Sequence, residues 1–180
     1  MSEEINRFAD RLFAPIGRFV VSFENLCHEL RVTGIRIFEM AGLKKSELAE
    51  ITFAGLTASP LLEVIVSLIS QSFDLSSEQA NKLGEIRKRA ENLISIRNRV
   101  IHSTWHLIDF ADIDHGVPDG VLVSKRRKRT GLDTQMSSLN KEELEHLSEE
   151  VKDVSRMIRE FSLSLMVIAP PNNSFNPTPR

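Results

Sequence analysis

Cysteine, histidine and glycine are scarce in this 180-residue chain, and each scarcity removes a class of chemistry. The single cysteine, Cys27, excludes an internal disulfide framework and a cysteine-based metal cluster, and fits a reducing compartment. The five histidines (His28, His102, His106, His115 and His146) include no His-Glu-x-x-His pair and are read as forming no ligand set. The eight glycines are scattered, so there is no glycine-rich phosphate loop, and no Gly-x-Ser-x-Gly elbow is present. Long apolar runs are also lacking: none reaches the roughly 18 residues that span a bilayer. The opening Met-Ser-Glu-Glu-Ile is acidic where a signal peptide would be basic. The expectation is a cytoplasmic protein with no metal, no cofactor and no membrane partner.

What is there is a globular balance, with 41% hydrophobic and 27% charged residues. The dominant period is helical. Ile16, Phe19, Val20, Phe23, Leu26, Cys27 and Leu30 mark one amphipathic helix, which runs on toward a stop at Ala41-Gly42. A shorter stretch through Ile5, Phe8 and Leu12 starts at Ser2, and Pro15 is expected to separate or kink the two. Residues 43–58 read as a short helix with loops. Ser59-Pro60 signals a helix start before the apolar run from Leu61 to Ile69. Ser76 with Gln79 matches a capping box, and the helix beyond it puts Leu83, Ile86, Ala90, Leu93, Ile94 and Ile101 on one face. Thr104–Phe110 and Gly120–Lys125 alternate as strands do, about the turn Val117-Pro118-Asp119-Gly120. Asn140 with Glu143 opens the last helix, carried by Leu144, Leu147, Val151, Val154, Ile158, Phe161 and Leu165. The pattern predicts an all-α fold: a four- to five-helix bundle over residues 1–169, with a small β-hairpin or extended flap (about 104–138) before the last long helix. Residues 170–180, rich in Asn and Pro, are expected to be a disordered tail.

The net charge of −2 argues at first against a nucleic-acid partner. Its distribution argues otherwise. Residues 1–80 hold seven basic and eleven acidic side chains, residues 81–131 eleven and six, and residues 132–180 five and eight. The middle segment is therefore the positive one. It contains Arg97-Asn98-Arg99-Val100-Ile101-His102 and the run Lys125-Arg126-Arg127-Lys128-Arg129. An imidazole accepts a proton from a ribose 2′-hydroxyl near neutral pH, and a guanidinium holds a phosphate and stabilises charge growing on it. Asn98 and His102 are one helical turn apart, whereas Arg97 lies about 140° around the helix from His102. Convergence of that pair needs the length of the arginine or a bend at the helix end. A second pair of similar spacing, Arg99 with His106, lacks the asparagine. The simpler reading of Arg97 and His102 is a surface arginine and a histidine well placed at a helix C-terminus. Trp105 reads as a core or dimer contact and Cys27 as core packing.

The hexapeptide from Arg97 to His102 resembles the Arg-(polar)-x-x-x-His signature of the HEPN superfamily, helical nucleotide-binding domains of higher eukaryotes and prokaryotes. The resemblance implies a four- or five-helix bundle that forms a homodimer, and a metal-independent endoribonuclease. It implies Arg97 and His102 as the catalytic pair and Asn98 as their polar assistant, with two copies of the motif facing each other in one composite cleft. Arg99 and the run Lys125, Arg126, Arg127, Lys128 and Arg129 are the candidate RNA-binding residues. RNA is the implied partner, with an antitoxin or regulatory protein in systems where such enzymes act as toxins or phage-defence effectors. A non-catalytic helical dimerisation module that binds RNA, nucleotide or a protein partner is the alternative. A DNA-associated accessory protein ranks third, because no helix-turn-helix or zinc pattern accompanies the charge.

Overall fold

A computed structural model describes residues 3–107, 120–128 and 131–168. Its architecture is all-α with a small strand flap inserted before the last helix. In chain order the elements are α1 (Glu3–Met40), α2 (Ser46–Phe53), α3 (Ala58–Ser72), α4 (Ser77–His102), β1 (Thr104–Leu107), β2 (Gly120–Lys128), β3 (Gly131–Leu139) and α5 (Lys141–Ile168). Among the described residues no helix is long and apolar enough to cross a membrane.

Pro15 does not divide α1, which runs unbroken for 38 residues with the proline inside it. Proline removes one backbone bond, at a cost of about 3 kcal/mol in a helix interior. The same apolar face is buried on both sides of it, Leu12 and Phe19 being fully enclosed, and that burial outweighs the lost bond. The helix stops where expected. Gly42 takes a positive φ of 96°, Leu43 N–H donates to the Phe38 carbonyl and Gly42 N–H to that of Glu39, a Schellman closure that favours glycine. The Ser2 cap, the Pro118 turn and the 170–180 tail lie outside the described residues.

The start of α3 differs from expectation. Thr57, not Ser59, occupies the N-cap position, and the Leu61 N–H donates to its carbonyl at 3.0 Å. Pro60 therefore sits third in the first turn, where N–H groups have no helical acceptor in any case. Both capping boxes form. Ser76 N–H donates to Gln79 Oε1 at 2.8 Å and Gln79 N–H to Ser76 Oγ at 3.2 Å. Asn140 N–H donates to Glu143 Oε2 at 2.8 Å and Glu143 N–H to Asn140 Oδ1 at 2.7 Å.

The described chain divides into two compact units. Among the described residues one comprises 24–92 and 152–168 and is a bundle built on α2, α3 and segments of α1, α4 and α5. Its core includes Leu26, Leu30, Phe53, Leu61, Leu62, Ile65, Ile86 and Ile158, with Cys27 also buried. Phe38 of α1 stacks on Phe53 of α2 at 5.6 Å between ring centroids. Arg87 bridges Glu63 of α3 at 2.7 Å and its neighbour Glu91 at 2.9 Å, while Arg159 of α5 bonds Glu29 of α1. The carboxylates facing these two guanidiniums hold both pKa values above the ordinary one.

The other unit comprises the described residues within 3–23 and 93–151: the start of α1, the end of α4, the flap and the start of α5. Leu12, Phe19, Phe23, Leu93, Val100, Leu144 and Val151 are buried here. Ile101, expected on the apolar face, is 39% exposed, and Val100 takes the inward position at 1%. The flap exceeds the expected hairpin. It is a three-stranded antiparallel meander, β1-β2-β3, in which Gly131–Leu139 supplies the third strand.

Candidate functional site

Arg97, Asn98, Arg99 and His102 all lie on the last turns of α4. Capping of that helix end fixes where it meets the flap. Ser103 N–H donates to the Arg99 carbonyl at 3.0 Å, and the Trp105 indole N–H donates to the Val100 carbonyl at 2.8 Å. Two of the last-turn carbonyls that a helix leaves without internal donors are thereby satisfied. Trp105, half-buried, thus ties β1 back onto α4.

Arg97 is half-buried and turned toward α1. Its guanidinium carbon stands over the Phe23 ring, 5.6 Å from the centroid, within the range of a cation–π contact. Phe23 is 1% exposed and is itself packed by Phe19, with ring centroids 6.5 Å apart and planes tilted 54°. The Nε of Arg97 is buried, and Nη1 donates to Asn98 Oδ1 at 3.3 Å. Adjacent helical residues point about 100° apart, so this bond depends on the reach of the arginine. Asn98, Arg99 and His102 are exposed.

The structure thus brings Arg97 and Asn98 together. His102 lies one turn from Asn98 and is likewise exposed. Arg97 and His102 lie on the same helix, α4, which runs through both, and on an ideal helix positions five apart point about 140° away from each other. The competing pair is parted by an element boundary, since Arg99 is helical and His106 lies in β1 opposite Val121. The same boundary separates His102 from His106, whose four-residue spacing would otherwise suit a metal pair on one helix face. Among the described residues no three His, Cys, Asp or Glu side chains form a group able to hold a metal ion. The hydroxyl of Ser103, next to His102, is buried and has no hydrogen-bond partner among the described residues.

The first four residues of the basic run end a strand. Lys125, Arg126, Arg127 and Lys128 close β2, in register with Thr134, Asp133, Leu132 and Gly131, while Arg129 lies outside the described residues. Strand alternation gives positions 125 and 127 to one face of the sheet and positions 126 and 128 to the other. Position 126 stands in register with the acidic position 133. Residues 131–139 were the missed element. Leu132, Thr134 and Met136 alternate with Asp133, Gln135 and Ser137, a period-two signal that its short and polar side chains dilute. Phe23 was legible only as a core position, because its meeting with Arg97 joins residues 74 positions apart in sequence.

Comparison of the chain with protein-family models, with curated proteins and with solved structures finds no match.

Proposed function

We propose that this protein is a metal-independent endoribonuclease of HEPN type that acts as a homodimer. The observation that carries the reading is the motif at the end of α4: Arg97 held to Asn98 by a 3.3 Å hydrogen bond, with His102 exposed one turn beyond. On a regular helix the arginine and histidine of one chain point about 140° apart, so in this reading two α4 ends, related by a two-fold axis, supply one cleft. There the His102 imidazole takes the proton of a ribose 2′-hydroxyl as that oxygen attacks the neighbouring phosphorus. The new P–O2′ bond forms, the P–O5′ bond breaks, and the departing 5′-oxygen takes a proton from the second copy's imidazolium. The products are a 2′,3′-cyclic phosphate and a 5′-hydroxyl. Arg97 stabilises the charge on the phosphoryl oxygens, and Asn98 orients it. Arg99 and the β2 cations supply sequence-independent grip on the RNA backbone. A toxin or phage-defence role under the control of a protein inhibitor is consistent with such an activity.

A second reading is a non-catalytic helical dimerisation module that binds RNA, nucleotide or a protein partner. It is favoured by the seat of Arg97 on a buried ring, a place that also suits a structural arginine. The two readings separate in one assay. Purified protein incubated with single-stranded RNA in EDTA yields cyclic-phosphate ends under the first reading and none under the second. His102→Ala lowers the rate by about 10²–10⁴ with the melting temperature preserved. Wild-type cleavage rates in that variant refute the catalytic assignment.

A further inference from the structure

Phe23 lies on the inward face of α1, and helical periodicity gives it no task beyond packing. Three observations give it a second one. Its ring lies under the Arg97 guanidinium at 5.6 Å, its own plane is set by Phe19 at 6.5 Å, and both phenylalanines are essentially inaccessible to water. The arginine they support is half-buried, with Nε enclosed and Nη1 directed to the exposed Asn98. An arginine on an open helix surface samples many rotamers, and fixing a rotamer-rich side chain costs conformational entropy. Here part of that cost has been met before any ligand arrives, because ring and amide together hold the guanidinium plane.

We propose that Phe23 is a positioning residue for Arg97: the tilted Phe19–Phe23 pair on α1 presents the Arg97 guanidinium, through its bond to Asn98, in the orientation used on the scissile phosphate. The inference rests on the ribonuclease reading. Lysine cannot replace arginine on such a seat, since a compact ammonium lacks the planar face and the fork of donors.

The test is a double-mutant cycle on RNA cleavage, with Phe23→Leu and Arg97→Lys made singly and together. Leucine keeps the site apolar and removes the ring. In the wild-type background Phe23→Leu lowers kcat by about 10–100-fold, the scale of a misplaced catalytic group, with KM changed by less than about twofold. In the Arg97→Lys background the same substitution adds less than about twofold, because the group it positions is already gone. Phe23→Met, also apolar and ringless, gives the same pattern and serves if the leucine variant does not fold. Equal losses in both backgrounds show that Phe23 acts through stability alone and overturn the proposal. Unchanged kcat in the wild-type background also overturns it and leaves the ribonuclease reading standing. No cleavage by the wild-type protein overturns both.

Discussion

Gly34 on α1 is a site where the ordinary rule for a helical glycine reverses. Alanine at an interior helix position is normally better than glycine by about 1 kcal/mol. A Cβ built at Gly34, however, falls 2.5 Å from Phe53 Cζ, 2.7 Å from Phe53 Cε2 and 2.6 Å from Ile65 Cδ1. Carbon atoms in contact sit at about 3.5–4.0 Å, so each neighbour must withdraw by about 1 Å. The Ile65 methyl can swing, but the Phe53 ring is rigid, fully buried and stacked on Phe38 at an interplanar angle of 18°. Overpacking of this kind costs about 1–3 kcal/mol, and the pinned ring puts Gly34→Ala at the upper end. After the helical gain the net loss is about 2 kcal/mol, or about 4–8 °C in melting temperature for a chain of this size. Gly84 on α4 is the control, since a Cβ there meets nothing within 4 Å. Gly84→Ala gains up to about 1 kcal/mol. Urea denaturation and thermal melts followed by circular dichroism compare both variants with wild type. A Gly34→Ala protein as stable as wild type refutes the close approach of α1 to α2 and α3 from which the loss is worked.

Further outcomes follow from the caps and the flap. Asn140→Ala breaks the reciprocal pair with Glu143 at the start of α5 and costs about 1 kcal/mol, measurable as a shift in the urea midpoint. Replacing Asn140 by aspartate, which caps equally well, restores the midpoint. Trp105→Phe leaves the Val100 carbonyl without its indole donor and costs about 1 kcal/mol. As Trp105 is the only tryptophan, its fluorescence in the wild-type protein reports the joint between β1 and α4 directly. An emission typical of fully solvated indole in the native protein contradicts that hydrogen bond.

Period and end signals, the features a sequence displays locally, carried most of the helical part of this fold. The three-and-four spacing from Ile16 to Leu30, the Ser76–Gln79 and Asn140–Glu143 boxes and the Gly42 stop all involve residues within a few positions of each other, and all are observed. Where local signals conflicted, tertiary burial decided. Pro15 says break, but Leu12 and Phe19 are buried on either side of it and the helix continues. Val100 and Ile101 are both apolar, and only the direction of the core chose Val100. Partnering across the chain was beyond the reach of pattern. Nothing near Gly131–Leu139 announces pairing with β2, and nothing near Phe23 announces Arg97. The candidate site divides the same way. By itself the sequence determined which residue types stand at the end of α4: a guanidinium, an amide and an imidazole within six positions, in the one basic segment of an acidic chain. Tertiary structure alone decided their directions, because the apolar face of α4 turns inward with Arg97 over a phenylalanine and leaves Asn98 and His102 facing solvent. Side-chain direction follows from the rotation of a helix about its axis, and that rotation is set by what the helix buries.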